Sequence, residues 1–150
     1  MISTIFALKK LREETSVSFS LCKKALDQSD NDIEKAKKLL STWGIEQTES
    51  KLLRKTQQGA LFSYIHHNKK IGVLLELLCE TDFVAINSEF QQLGNTLAMQ
   101  IASTNPRDVS SLLETPYIKE ASKIIEVLIK ECIFKIGENI KIGKFVRFEI

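Results

Sequence analysis

The chain has 150 residues, 43% hydrophobic and 27% charged, with a formal net charge of +2. That length suits one domain, or one with a small appendage, and hides about 70% of the unfolded surface, so a core is feasible and a disordered chain is excluded. The charge is small and scattered, and 17 Lys stand against only 4 Arg, which argues against a dedicated nucleic-acid or planar phosphate binder.

The first 45 residues read as three short helices. Ser3 is placed to cap the first, which carries Phe6, Leu8 and Leu11. The hydroxyl run from Thr15 to Ser18 breaks it, and Ser18 caps a second helix with Leu21, Cys22, Ala25 and Leu26 on one side. Asn31 with Glu34 has capping-box spacing, and the third helix aligns Ile33, Ala36, Leu39, Leu40 and Trp43 before a stop at Gly44. Glu46 to Gln58 is polar and reads as a linker. The expected division is therefore a three-helix domain over 1–46, a linker over 47–58 and a second domain over 59–150.

From Gly59 the pattern changes. Ala60 to His66 reads as a strand, 67–70 as a hairpin connection, and Ile71 to Cys79 as a central strand buried on both faces. Ser88 is placed to cap a helix with Phe90, Leu93, Leu97, Ala98 and Ile101 inward, ended by Pro106. Ser103 to Pro116 reads as loop and Tyr117 to Lys135 as helix, stopped by Gly137. A last strand alternates Ile140, Ile142, Val146, Phe148 and Ile150 against a polar face that includes Phe145, with Lys144 breaking the apolar side. The second domain is thus an α+β layer, β-β-α-α-β, with helices on one face of a small antiparallel sheet.

Catalytic chemistry is hard to find. His66 and His67 point to opposite faces of a strand and do not share a metal. There is no GxxxxGK[ST], GxGxxG, GxSxG or HExxH. Cys22, Cys79 and Cys132 are odd in number and widely spaced, and read as buried free thiols in a reducing compartment rather than a zinc or disulfide set. No apolar run reaches the ~18 residues of a membrane span, and the short apolar start lacks the basic region of a signal peptide. The expectation is a non-enzyme without metal, cofactor or direct nucleotide binding. One junction is chemically unusual: Cys79-Glu80-Thr81-Asp82-Phe83-Val84-Ala85 joins a buried strand to a helix and carries a large aromatic where turn residues are usual. Phe83 either projects as an anchor for a partner's pocket or plugs its own core while Asp82 caps the helix; physics alone leaves both open.

The Thr81-to-Ala85 stretch resembles the signature of the elongation factor Ts family. In the same order along the chain, Leu11-Arg12-Glu13-Glu14-Thr15, Cys22-Lys23-Lys24-Ala25-Leu26, Asp32-Ile33-Glu34, Ala98-Met99-Gln100-Ile101-Ala102 with Asn105-Pro106, and Lys135-Ile136-Gly137-Glu138-Asn139-Ile140 resemble further motifs of that family. Two departures stand out. The family's usual Thr-Gly-Ala-Gly turn is Thr15-Ser16-Val17-Ser18 here, and the long helical stretch expected between Pro106 and Leu113 is missing.

The resemblance implies a ubiquitin-associated-like three-helix domain followed by an α+β core, and a guanine-nucleotide exchange factor that binds elongation factor Tu and promotes GDP release. It implies that Phe83, within Thr81-Asp82-Phe83-Val84, enters an apolar site of the GTPase and disturbs its Mg²⁺–phosphate site. Arg12, Phe19 and Lys23 are implied to touch the same domain from another side. It further implies a homodimer, hence a two-to-two complex, in a bacterial cytoplasm or an organelle. The alternative is a ubiquitin-associated-like adaptor without exchange activity; deleting residues 1–50 abolishes an adaptor and only weakens an exchange factor.

Overall fold

The structure, a computed structural model, describes residues 4–150, apart from the side chains of 45–47 and 49. Ser3, expected to cap the first helix, lies outside the described residues. By their internal contacts the residues fall into two compact units, Met1–Ser50 and Lys51–Ile150.

The first unit is helical: α1 (Thr4–Thr15), α2 (Phe19–Gln28) and α3 (Ile33–Lys51). Ala7 and Leu11 of α1, Cys22, Ala25 and Leu26 of α2, and Ala36 and Leu40 of α3 are buried. The small side chains among them let short helices approach closely. Lys37 ties α3 to α1 through Glu14, and its hydrogen bond holds the Glu14 carboxyl below the usual carboxylate range. Lys24 lies over the Trp43 ring, 5.1 Å from its centre. Ser18 caps α2 as expected, its hydroxyl accepting from the Leu21 amide. Ser16 takes a left-handed φ of 56°.

Two expectations for α3 are corrected. The cap is Asp32, whose Oδ1 accepts from the Lys35 amide at 3.1 Å, because Asp30 and Asn31 are both spent on the left-handed turn before it. The helix also runs through Gly44 to Lys51. An interior glycine costs a helix only about 1 kcal/mol, and Gly44 lacks the positive φ of a glycine stop.

The second unit is α+β. Strands β1 (Gln58–Ile65), β2 (Ile71–Cys79) and β5 (Ile140–Glu149) form an antiparallel sheet in the order β1-β2-β5. Between β2 and β5 lie α4 (Asp82–Ala85), α5 (Ser88–Thr104), α6 (Val109–Glu114), the hairpin β3 (Pro116–Tyr117) and β4 (Glu120–Ile124), and α7 (Ile125–Ile136). Phe62, Val73, Leu75, Leu77, Phe90, Leu97, Ile101, Leu112, Ile129 and Ile133 pack one core on the helix-covered face. Gly137 stops α7 as expected, with φ 88°.

Four corrections follow. Strand β2 is central but buried on one face only: Val73, Leu75, Leu77 and Cys79 are inside, whereas Leu74 is exposed. Asn87, not Ser88, caps α5, its Oδ1 accepting from the Glu89 and Phe90 amides. The stretch read as loop contains α6, capped by Asp108 on the Ser111 amide. The stretch read as helix from Tyr117 begins as the β3–β4 hairpin. Buried Gln100 imposes this: its amide donates to the Thr115 hydroxyl and Pro116 carbonyl and accepts from the Ile118 amide.

Strand β5 carries the last correction. Leu77 pairs with Ile142 but Leu75 pairs with Phe145, so β5 has one extra residue and a bulge at 143–144. The bulge reverses the faces beyond it. Phe145 packs against the core, while Val146 and Phe148 turn outward and are exposed.

Candidate functional site

Strand β2 ends at buried Cys79, and the chain then makes the single turn α4 before entering α5. Thr81, not Asp82, is the cap of α4: its hydroxyl accepts from the Val84 amide, and Ala85 donates to the Thr81 carbonyl at 3.3 Å. The turn sorts its residues by face. Ala85 is buried and Val84 half-buried against the core, while Asp82 is exposed. Phe83 is 79% exposed and Ile86, three residues on, 80% exposed. Residues three apart share a helix face, so a short apolar pair projects into solvent. Phe83 therefore does not plug its own core. Ile86 escaped the sequence reading, although its spacing from Phe83 is a visible signal.

The turn is tied by side-chain hydrogen bonds on both sides. Glu138, just after α7, accepts from the Glu80 and Thr81 amides at 3.2 and 3.0 Å through Oε1, and from the Thr81 hydroxyl at 2.7 Å through Oε2. In return Glu80 accepts from the Asn139 amide at 2.7 Å, and the Arg54 guanidinium lies 3.7 Å from the same Glu80 oxygen. On the other side the Gln91 amide donates to the Ala85 carbonyl. The Cys79 thiol donates to the Thr81 carbonyl; burial, then the nearby Glu138 carboxylate, push its pKa up, so it stays protonated. Cys132 is pushed up to about 12, chiefly by burial. Both thiols serve packing, and like Cys22 they are free.

The remaining predicted contact residues lie in the first unit. Arg12 is in the last turn of α1 and exposed. Phe19 opens α2, also exposed, and Lys23 follows one turn later on the same face. An aromatic and a lysine thus share an exposed face of α2.

The geometry is thus a solvent-facing phenylalanine at a strand–helix junction and an exposed basic–aromatic helix face. Comparison with known proteins gives the family. The family model described as Elongation factor TS matches residues 80–150, and the one described as Elongation factor Ts, mitochondrial, N-terminal matches residues 2–56. The chain belongs to the elongation factor Ts family. It is 37% identical to the Elongation factor Ts of Thermosipho melanesiensis over 188 positions, covering 95% of this chain and 96% of the relative. It is likewise 37% identical to that of Thermodesulfovibrio yellowstonii over 194 positions, covering 100% and 97%. The Thermosipho alignment has at least 38 more positions than the chain's 150 residues, so the relative carries residues with no counterpart in this chain. Among the described residues no helix is long and apolar enough to cross a membrane.

Proposed function

We propose that this protein is a nucleotide-exchange factor that binds elongation factor Tu and speeds GDP release without any catalytic group. The observation that carries the reading is the exposed Phe83 held on a turn fixed at both ends. Exchange is a coupling between two binding equilibria. A factor that prefers the nucleotide-free GTPase weakens nucleotide binding by the same factor by which nucleotide weakens its own. Phe83, with Val84 behind it and Asp82 beside it, enters an apolar site of the GTPase and disturbs its Mg²⁺–phosphate site. Ile86 extends that apolar contact. The core unit supplies this contact, and the three-helix unit supplies a second through Arg12, Phe19 and Lys23. The site of action is the compartment where translation runs, a bacterial cytoplasm or an organelle. The test is GDP release from the cognate elongation factor Tu with and without this protein; an unchanged rate sinks the proposal.

The charged contacts are secondary. Lys23→Ala or Arg12→Ala weakens binding only a few-fold, as expected of screened surface charges worth about 0.2–1 kcal/mol. The loss shrinks as salt rises. A loss that ignores salt assigns these residues to folding instead.

We further propose that the protein pairs with a second copy through the outer face of its sheet. Leu61 and Ile65 of β1, Leu74 of β2, and Val146 and Phe148 of β5 are exposed there. Cross-strand pairing sets Leu74 beside Val146, and Gly72 between Ile65 and Phe148, so they form one patch. Apolar sheet faces stack about 10 Å apart, and pairing identical faces closes on a two-fold axis. Sedimentation at micromolar concentration is expected to give a dimer, and Leu74→Lys a monomer with its fold intact. A monomeric wild type with full exchange activity overturns the pairing.

A further inference from the structure

We propose that Glu138 is the positioning residue of the recognition turn: its carboxylate, 57 residues away in sequence, locks the backbone of Glu80 and Thr81 and thereby the direction in which Phe83 projects. The inference rests on Phe83 being the anchor. Its evidence is the bonding pattern itself. One carboxylate takes two consecutive backbone N–H groups on one oxygen and a hydroxyl on the other, and bonds to an ionised acceptor are the strong kind. The Thr81 hydroxyl is thereby committed: its proton goes to Glu138, which leaves a lone pair for the Val84 amide that it caps. The capping bond of α4 is therefore oriented from Glu138.

The tie is also reciprocal. Glu80 receives the Asn139 amide, and Asn139 donates through Nδ2 to the Leu52 and Arg54 carbonyls, at 3.3 and 2.8 Å. The segment before β1, the junction after β2 and the junction before β5 are joined at one point.

The turn needs such a tie. A helix of four residues has no stability of its own, and Phe83, 79% exposed, contributes almost no packing to hold it. An anchor that must be ordered on binding loses affinity to that ordering; one held in advance does not.

A double-mutant cycle on the 150-residue chain tests this, read by affinity for nucleotide-free elongation factor Tu, by GDP-release rate, and by amide hydrogen exchange of the segment 80–87. Glu138→Ala is expected to weaken binding about tenfold and to speed exchange at 80–87 while the β1-β2-β5 sheet stays protected. Glu138→Gln, whose amide oxygen still accepts from both backbone N–H groups, recovers most of the loss and guards against a simple failure to fold. In a Phe83→Ala background, Glu138→Ala costs less than about twofold. Equal cost in both backgrounds, or unchanged exchange at 80–87, overturns the positioning role even where Phe83 matters. If Phe83→Ala alone leaves affinity unchanged, the anchor reading itself fails and the positioning role falls with it.

Discussion

Phe83→Ala is expected to lower stimulated GDP release about a hundredfold and to leave the melting temperature within a degree or two. Truncating an aromatic anchor at an interface costs about 2–4 kcal/mol, and 2.7 kcal/mol is a hundredfold. The protein itself loses little, because four-fifths of the side chain already faces water. The backbone of the turn is held by Glu138 and Gln91, not by the ring. Stopped-flow GDP release gives the first quantity and thermal unfolding the second. The opposite pattern, a large drop in stability with exchange per folded molecule intact, assigns Phe83 to packing. Ile86→Ala, three residues on, is expected to follow Phe83→Ala in kind but not in size, since fewer apolar atoms are lost.

Local chemistry made part of this fold legible and left part of it hidden. The sheet strands, the α5 stripe and the glycine stop at Gly137 follow from periodicity and from residues with one conformational use, and these agree with the structure. What misled was long-range. The apolar spacing from Ala121 to Ile136 is helical, but Gln100 holds the backbone around Thr115–Ile118 in a hairpin from 15 to 18 residues away. Gln100 lies outside the stretch whose periodicity reads as helix, so that spacing carries no trace of the bond. The β5 bulge is a middle case. Lys144 interrupts the alternation, which is the mark of an extra residue, but only the pairing with β2 tells that the faces exchange and that Phe148 rather than Phe145 looks outward. For the candidate site, the signature named Phe83, and the structure supplied its exposure, its neighbour Ile86 and its tie to Glu138.

Seven residues along the chain, the same residue type has the opposite fate, and Phe90→Ala is expected to cost 3–5 kcal/mol of stability. Phe90 is fully buried on α5, and its ring lies 6.0 Å from that of Phe62 on β1 at a tilt of 59°. The site has little means of closing over a lost ring. Gly94, one turn further along α5, leaves the space that the Phe62 ring fills: a Cβ there would stand 2.3 Å from ring atoms. Phe62 is thus wedged between a helix backbone and Phe90, and it does not slide into the vacancy without losing its seat against Gly94. For a unit of about 100 residues each kcal/mol moves the melting temperature by about 4–8 °C, so a fall of 15 °C or more is expected. Small domains carry only about 5–15 kcal/mol in all, so with a wild-type stability at the low end of that range a measurable fraction is unfolded at about 37 °C. Exchange activity falls with that fraction, and the rate per folded molecule, measured at low temperature, stays near wild type. Phe90→Leu restores much of the volume and is expected to recover more than half the loss. A Phe90→Ala protein that melts within a few degrees of wild type shows that Phe62 repacks after all, and the wedge against Gly94 is then not rigid.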